Sequence, residues 1–584
     1  MCGIFGLLNN NASVPIPRDA IENAFYAIKP RGPEHSVLVE YDGRTTLGFH
    51  RLAINGLDAA SNQPIVVDGV RLVCNGEIYN YKQLYSMMPG VKPQTHSDCE
   101  VIIHLYKRYG IQQCLRMLDG YFAFILVDAD TIYVARDTFG VRPLFVAEAS
   151  RIDMFHTDYS NIACYSPRFY AFASELKGIR GLFNGICVNV ERMEQVPPGS
   201  YSMFKLAEVA EASLRNCVYN HARDEYETPQ YWECVENNVA WRVIGGNAIC
   251  SATSVPDVFT DIRTTFIAAV KKRVETTERK IACLLSGGLD SSIVTALVAK
   301  HLRSMGRTQP LETYSIGFAG SDDLKYAQIV ADYVGTDHHE VIVTEKEFLD
   351  AIPEVIHTIE SYDTTSVRAS VGNYLVSKYI SENSDAKVIF NGDGSDEVMG
   401  GYLYMGLAPD AIEFDRECVR LLENIHYFDV LRSDRCIASN GLEARTPFLD
   451  TAFVQTYLSF NTNFRFHTRL DKQEKYLFRT AFAGEGLLPS EVLFRKKEAF
   501  SDGVSKHSRS WYQIIQEHVN TVDVNVNKRY EHNQPTTREQ HYYRALFEKF
   551  YPGCGHVIPY FWMPKYVAAT DASARTLDVY NKTY

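Results

Sequence analysis

The hydrophobic pattern changes character along the chain. Near the N-terminus it comes in short strand-type runs, residues 122–127 (Phe-Ala-Phe-Ile-Leu-Val) and 131–135 (Thr-Ile-Tyr-Val-Ala), which read as paired strands. After residue 255 short apolar stretches alternate with longer runs of helical character. Residues 281–285, 311–318, 338–343 and 387–390 predict strands. Residues 258–275, 293–302 and 321–334 predict helices, the last capped by Ser321. This alternation predicts a parallel, doubly wound α/β sheet whose ligand sits beyond the C-terminal ends of the strands. His338 and His339 fall within one such strand, where neighbours face opposite sides, so they do not make a joint metal site. Pro197-Pro198-Gly199 marks a turn near the end of the first region. The stretch 206–255 reads as a linker with short strands, and residues 149–168, polar and aromatic, as a surface insertion. The expected domains are therefore 2–205 and 256–584.

Composition narrows the class. A chain of 584 residues with 46% hydrophobic content is long enough for several domains with full cores. The formal charge of −12 argues against a nucleic-acid scaffold while leaving room for local basic pockets. The 13 cysteines are scattered, with no Cys-x-x-Cys pair, which fits reduced thiols rather than zinc or a disulfide framework. No signal-peptide pattern opens the chain and no apolar run approaches the roughly 18 residues of a membrane span, so a soluble cytoplasmic protein with no membrane partner is expected.

The chemistry concentrates in a few loops. Ser286-Gly287-Gly288-Leu289-Asp290-Ser291-Ser292 lies between a predicted strand and a predicted helix. The glycines let the backbone approach a ligand, the serines add hydroxyl donors, and the helix start presents N–H groups to a phosphate. Asp290 could hold a metal ion riding on such phosphates. The Gly-Lys-Ser/Thr ending of a Walker A loop is missing, and a plain serine-capped turn is the alternative. A second glycine-rich loop, Asn391-Gly392-Asp393-Gly394-Ser395-Asp396-Glu397, follows the strand at 387–390 and gathers acids that repel unless a cation or a substrate amine neutralises them. Magnesium with phosphate is the natural partner, an acidic solvated turn the alternative. Tyr362-Asp363-Thr364-Thr365-Ser366-Val367-Arg368-Ala369-Ser370 precedes a further helix, and Arg495-Lys496-Lys497 is a basic cluster on a loop, fit for phosphate or for solvent.

At the other end, Cys2 follows Met1, and removal of Met1 would leave a thiol beside a free α-amine able to act as base. A buried strand cysteine is the alternative. Arg51 offers a planar fork for a carboxylate, Asn75 and the Gly76 N–H could donate to an oxyanion, and Glu77 and Asp98 could accept from an ammonium group. Together these suit an α-amino acid whose side-chain carbonyl is attacked by a thiolate. Singly, each has a plain alternative: Asn75-Gly76 is also a common hairpin turn, and Arg51 and Asp98 could be surface charges.

Met1-Cys2-Gly3-Ile4, His50-Arg51-Leu52-Ala53-Ile54, Asn75-Gly76-Glu77-Ile78-Tyr79-Asn80 and Ser97-Asp98 resemble the class II glutamine amidotransferase domain. Residues 286–292, 315–317, 362–370, 392–402, 441–450 and 497–503, with Trp562-Met563-Pro564-Lys565 and Asp571-Ala572-Ser573-Ala574-Arg575-Thr576-Leu577, resemble the ATP-pyrophosphatase domain of the glutamine-hydrolysing asparagine synthetase family. The resemblance implies an N-terminal αββα Ntn-hydrolase sandwich followed by the ATP-pyrophosphatase domain. It implies a nucleophile at Cys2 and glutamine held by Arg51, Ile54, Asn75, Gly76, Glu77 and Asp98. It implies ATP held by Leu284, Ser286, Gly287, Gly288, Asp290, Ser291, Ser292, Ile316, Gly317, Asn391 and Gly392, with Mg2+ on Asp290 and Asp396. Thr365, Arg368 and Lys497 would stabilise charge on phosphate and on an acyl intermediate. Asp393 stands where the family usually has a glutamate assigned to deprotonating ammonia, and Asn391 where it usually has serine. The implied reaction joins aspartate, ATP and channelled ammonia from glutamine, and a homodimer is a form the family often takes. Related β-lactam-forming or peptide-amidating synthetases are the runner-up. An inactive binding relative would carry lesions at Cys2, Asn75, Asp290 or Asp396, and all four residues are present.

Overall fold

The computed structural model describes residues 1–10, 16–151, 168–184, 186, 188–206, 218–220, 255–506, 508–573 and 576–577. Most of the expected insertion at 149–168 and of the linker at 206–255, and Ala574 and Arg575 of the C-terminal motif, lie outside the described residues. The chain divides into two compact units, Met1–Trp232 and Glu233–Tyr584. Among the described residues no helix is long and apolar enough to cross a membrane.

The first unit is built on two antiparallel sheets of six strands. One contains β1 (Gly3–Leu8), β2 (His35–Tyr41), β3 (Thr45–Arg51), β8 (Phe145–Arg151), β9 (Arg168–Ala173) and β10 (Val188–Gln195), in the order β10-β8-β9-β1-β3-β2. The other contains β4 (Ile65–Val67), β5 (Val70–Ile78), β6 (Gly120–Asp128), β7 (Thr131–Arg136), β11 (Tyr201–Leu206) and β12 (Val218–Asn220), in the order β12-β11-β7-β6-β5-β4. Ile4, Leu47 and Phe49 of the first sheet pack with Ile125, Val134 and Phe204 of the second in one core. The helical segment Val101–Met117, broken at Gly110 where φ is +76°, covers the outer face of the second sheet through Ile102 and Leu105. The helix Arg18–Tyr26 covers the first through Phe25, whose ring sits so close to Gly48 that a Cβ there would lie 2.7 Å from it. The result is a four-layer αββα sandwich. It explains why residues 122–127 read as a continuous apolar run: β6 is covered on both faces and buried from Tyr121 to Val127.

His50, in β3, shows how the first sheet is tied to its helix. Its ring stacks on Phe25 at 3.8 Å. Nε2 lies 2.9 Å from the Phe25 carbonyl, which can only accept, so Nε2 carries the proton and Nδ1 accepts from the Ser36 hydroxyl at 2.7 Å. The neutral imidazole is therefore saturated, and burial pushes its pKa down to about 4.

The second unit is organised on a parallel sheet ordered β15-β14-β13-β16-β17, with β13 (Ile281–Leu284), β14 (Glu312–Phe318), β15 (Asp337–Val343), β16 (Val388–Phe390) and β17 (Glu443–Arg445). The helix after β13 runs Leu289–Ser304 and so begins earlier than the apolar run suggested, with Asp290 in its first turn, where negative charge is favoured. Gly287 turns the chain at φ +70°, and a Cβ there would lie 2.4 Å from the backbone of Tyr326 and Ala327. The segment at 362–370 is not a loop ahead of a helix. The helix Thr364–Asn383 starts within it, capped by Asp363, which accepts from Ser366 N at 2.9 Å. Ser321 stands at the N-cap of the helix Asp322–Val334, but its hydroxyl makes no capping bond. His338 and His339 diverge as expected: the first bonds Thr313 and Ser315, the second stacks on Tyr314. The helix Val255–Glu275 inserts Phe266 among Phe448, Phe453 and Phe478, at ring distances of 4.4, 5.0 and 5.1 Å.

Two stability predictions follow from these packings. Phe266→Ala should lower the unfolding free energy of the second unit by about 3–5 kcal/mol, the usual loss for a fully buried ring, read from its denaturant midpoint. For His50 the unfolded imidazole takes a proton below about 6.5, while the folded one resists to about 4. Stability is then lost as pH falls through that window, by roughly 3 kcal/mol. His50→Gln should flatten this part of the pH–stability curve, and an unchanged slope would show that another group sets it.

Candidate active sites

Cys2 precedes β1, a central strand, and is half-buried. Its carbonyl accepts from Arg31 Nε at 2.9 Å, and Arg31, fully buried, is held by Glu175 at 2.9 Å. Its thiol donates to the Leu52 carbonyl at 3.6 Å, which places it against the segment after β3. Arg51, Ile54, Asn75, Glu77 and Asp98 are all buried in the same unit.

Asn75 and Gly76 lie inside β5, opposite Ala123 and Phe122, and do not form the hairpin turn that their sequence also allowed. The Asn75 amide is fully buried with no hydrogen-bond partner on either Nδ2 or Oδ1. A buried amide costs about 1–3 kcal/mol when unpaired, so this one reads as a group reserved for a ligand. Gly76 is required for packing, since a Cβ would lie 2.3 Å from the Tyr121 carbonyl oxygen.

Arg51 donates to the Asp58 carbonyl at 2.8 Å, to Asn62 Oδ1 at 2.7 Å and to the Gly56 carbonyl. Its fork thus organises the loop 56–62. Asp98 is likewise engaged, accepting from Ile78 N at 2.6 Å, and Glu77 accepts from Asn55. Both are buried carboxylates rather than surface charges.

In the second unit one pocket opens at the C-terminal ends of β13, β14 and β16. Leu284, Ser286, Gly288, Asp290, Ser291 and Ile316 line it, as do Asn391, Gly392, Asp393 and Asp396, and Thr365 and Lys497. The two glycine loops touch: a Cβ on Gly392 would lie 2.8 Å from that of Asp290. Ser286 and Ser291 hydroxyls are 3.1 Å apart. At the junction Lys475 Nζ lies 2.8 and 2.7 Å from the Asp290 oxygens, 2.7 Å from Ser395 Oγ and 2.6 Å from Asp396 Oδ1. Lys497 Nζ approaches Asp396 Oδ2 at 2.5 Å. Burial opposes ionisation of Asp396, but the two lysines overcome it and hold the carboxyl well below the usual range. Burial and the nearby Asp429 and Asp396 push Glu397 well above it.

Gly287, Ser292, Gly317 and Arg368 do not line this pocket. Gly287 and Gly317 act through close packing, and a Cβ on Gly317 would lie 2.5 Å from Ser321 Oγ. Ser292 is buried behind the loop. Arg368 is turned to Glu539, at 2.8 Å from Nε, and to Asp571, at 2.7 Å from Nη1. The Thr365 hydroxyl and Asp393 Oδ2 line the pocket buried and without a hydrogen-bond partner, whereas Asp396 Oδ1 is met only by the Lys475 ion pair. The other Asp393 oxygen is held by Arg432 at 3.0 Å. Asn391 bonds Ser433 Oγ at 2.6 Å and accepts from Asp393 N at 3.3 Å.

Lys475 and Arg432 are pocket cations that the sequence left without a role, and Arg495, expected at phosphate or in solvent, also lines the pocket. Arg495 donates to Asp323, a carboxyl pushed up to about 7 by burial. Among the described residues no cluster of three His, Cys, Asp or Glu side chains is arranged to hold a metal. Asp290 and Asp396 offer the hard oxygens that suit Mg2+ when phosphate completes its shell, so the donor set fits that ion with a nucleotide and not alone.

Comparison with known proteins places the whole chain. The glutamine amidotransferase domain model matches residues 1–213, and the asparagine synthase model matches 261–412 and 406–556. The chain is 41% identical over 595 residues to the glutamine-hydrolysing asparagine synthetase of Gallus gallus, covering 99% of each chain. It is 39% identical over 596 residues to that of Homo sapiens, again covering 99% of each. Among solved structures, the allosteric regulatory enzyme of purine biosynthesis is similar at a TM-score of 0.30 and 16% identity, over 58% of this chain and 80% of that one. The protein therefore belongs to the glutamine-hydrolysing asparagine synthetase family.

Proposed function

We propose that this protein makes asparagine from aspartate, ATP and ammonia released from glutamine. The observation that carries the reading is the junction of the two glycine loops, where Asp290, Asp396, Lys475 and Lys497 meet beside the unpartnered Thr365 hydroxyl and Asp393 Oδ2. Such a junction suits a polyphosphate at one end and an acyl acceptor at the other.

In the first unit, here taken as the glutaminase domain 2–205, the Cys2 thiolate attacks the glutamine side-chain amide, its proton passing to the α-amine exposed by loss of Met1. Asn75 Nδ2 and the Gly76 N–H stabilise the oxyanion. Ammonia leaves, and water hydrolyses the thioester to glutamate. Arg51, Ile54, Glu77 and Asp98 form the walls that hold the amino acid, with Arg51 also fixing the loop at 56–62. In the second unit, 256–584, Leu284 and Ile316 hold adenosine, with Gly317 packed behind them. Ser286, Gly288 and Ser291 grip the phosphates, with Asn391 and Gly392 from the second loop, while Gly287 and Ser292 shape the turn from behind.

Asp290 and Asp396 would hold Mg2+ against the phosphates, where it neutralises charge on the leaving pyrophosphate. The aspartate β-carboxylate attacks the α-phosphorus, releasing pyrophosphate and forming an acyl-adenylate. Thr365 and Lys497 stabilise the charge that develops there. Ammonia then displaces AMP while Asp393 Oδ2 accepts the proton. We assign Arg368, held by Glu539 and Asp571, to positioning the helix that carries Thr365. Ammonia kept from water stays unprotonated and nucleophilic, which is the physical reason for releasing and using it within one protein. The reading takes the enzyme to be cytoplasmic, in keeping with the free thiols of its described cysteines.

Cys2→Ala should lower glutamine-dependent asparagine formation by about a thousandfold or more while leaving synthesis from ammonium chloride in place. Survival of both would remove Cys2 from the nucleophile's role. Asp290→Asn should stop pyrophosphate release with either nitrogen source, and pyrophosphate release at the wild-type rate would contradict the assignment.

A further inference from the structure

The junction of the glycine loops contains a charge balance that the reaction alone does not require. Asp290 and Asp396 come from loops after neighbouring parallel strands, and two carboxylates brought together repel. Lys475 fills the space between them with its side chain 2% exposed. Its ammonium hydrogen-bonds both Asp290 oxygens and Ser395 Oγ and forms an ion pair with Asp396 Oδ1 at 2.6 Å. The site is shaped for this side chain: a Cβ on Gly401 would lie 2.1 Å from both Asp396 Oδ1 and Lys475 Cε. The backbone accepts a cost to deliver it, since Lys475 sits in the left-handed region at φ +56°, uncommon for a residue with a side chain. Lys497 is different. It lies on the pocket loop, is 17% exposed, and is 3.8 Å from Asp290.

With both lysines present, two carboxylates and two ammonium groups sum to zero. A divalent cation entering alone would raise the site to +2 in a buried setting, which is costly. The same cation arriving with nucleotide phosphates would not. We propose that Lys475 makes Mg2+ binding at Asp290 and Asp396 conditional on the arrival of nucleotide phosphates. The built-in cation keeps the empty site closed to free metal and keeps the two loops together until nucleotide comes. The inference rests on the placing of Mg2+ at these two carboxylates in the proposed function.

The test uses the full chain without nucleotide or amino acid and titrates MgCl2 by calorimetry. Wild type should show no binding at this site in the millimolar range. Lys475→Met should acquire one Mg2+ site at least about tenfold tighter than anything wild type shows. Lys475→Met with Asp290→Asn should lose that site again, because removing one charge of each sign restores the balance. Should Lys475→Met be weakly folded, the same site is read as recovery of its Tm on adding MgCl2, since a ligand that binds only the folded form stabilises it. Equal Mg2+ binding in wild type and Lys475→Met, or a Tm of the variant that MgCl2 does not move, overturns the proposal. Because no substrate is present, these outcomes are independent of whether asparagine is the product, which the Cys2 and Asp290 variants decide.

Discussion

Holding two like-charged carboxylates face to face is the constraint on which the second unit depends. Asp290 enters from the helix start after β13 and Asp396 from the short helix after β16, and they meet because those strands are parallel neighbours. Gly392 lets the loops approach so closely that a Cβ on it would lie 2.8 Å from that of Asp290, and Gly401 leaves room for Lys475. Remove the cation and the loops repel; fill either glycine and they cannot close. The serine loop at Gly287 and Gly288 is held against the second glycine loop by that contact.

The first unit solves a different problem, holding the half-buried Cys2 thiol at the start of a buried strand. β1 lies between β9 and β3, so Cys2 is anchored by the core behind it. Arg31, bonded to the Cys2 carbonyl and paired with Glu175, fixes the chain just before the strand begins. Asn75 is held in β5 by ladder bonds to β6, which leave its side chain unsatisfied and reserved. Making ammonia in one unit and consuming it in the other gives each site its own electrostatics: a neutral amide and backbone donors for one, a dense field of paired charges for the other.

Much of this was legible in the sequence, for physical reasons that differ by feature. The parallel sheet showed because buried strands and amphipathic helices carry different periods. The two glycine loops showed because close approach needs glycine and phosphate needs donors. Other features depended on tertiary contacts. Lys475 lies far along the chain from both carboxylates, and nothing local marks a lysine in the left-handed region as their counter-ion. Arg368 read as a phosphate-side charge, yet the structure gives its guanidinium to Glu539 and Asp571, residues distant in sequence. Helix starts at Leu289 and Thr364 were earlier than the apolar pattern suggested because caps and first turns are polar. Two substitutions noted in the sequence, Asn391 and Asp393, prove to be linked: Asn391 ties the Asp393 backbone to Ser433, while Arg432 holds one of its oxygens.

In the proposed reaction the junction of Asp290, Asp396, Lys475 and Lys497 supports attack of the aspartate carboxylate on the α-phosphorus of ATP. Aspartate labelled with 18O in its β-carboxylate tests this directly, with glutamine as nitrogen source and mass analysis of the nucleotide product. Transfer of one labelled oxygen to AMP, with none in pyrophosphate, is the predicted result. AMP free of label, or ADP with label in inorganic phosphate, would contradict the account.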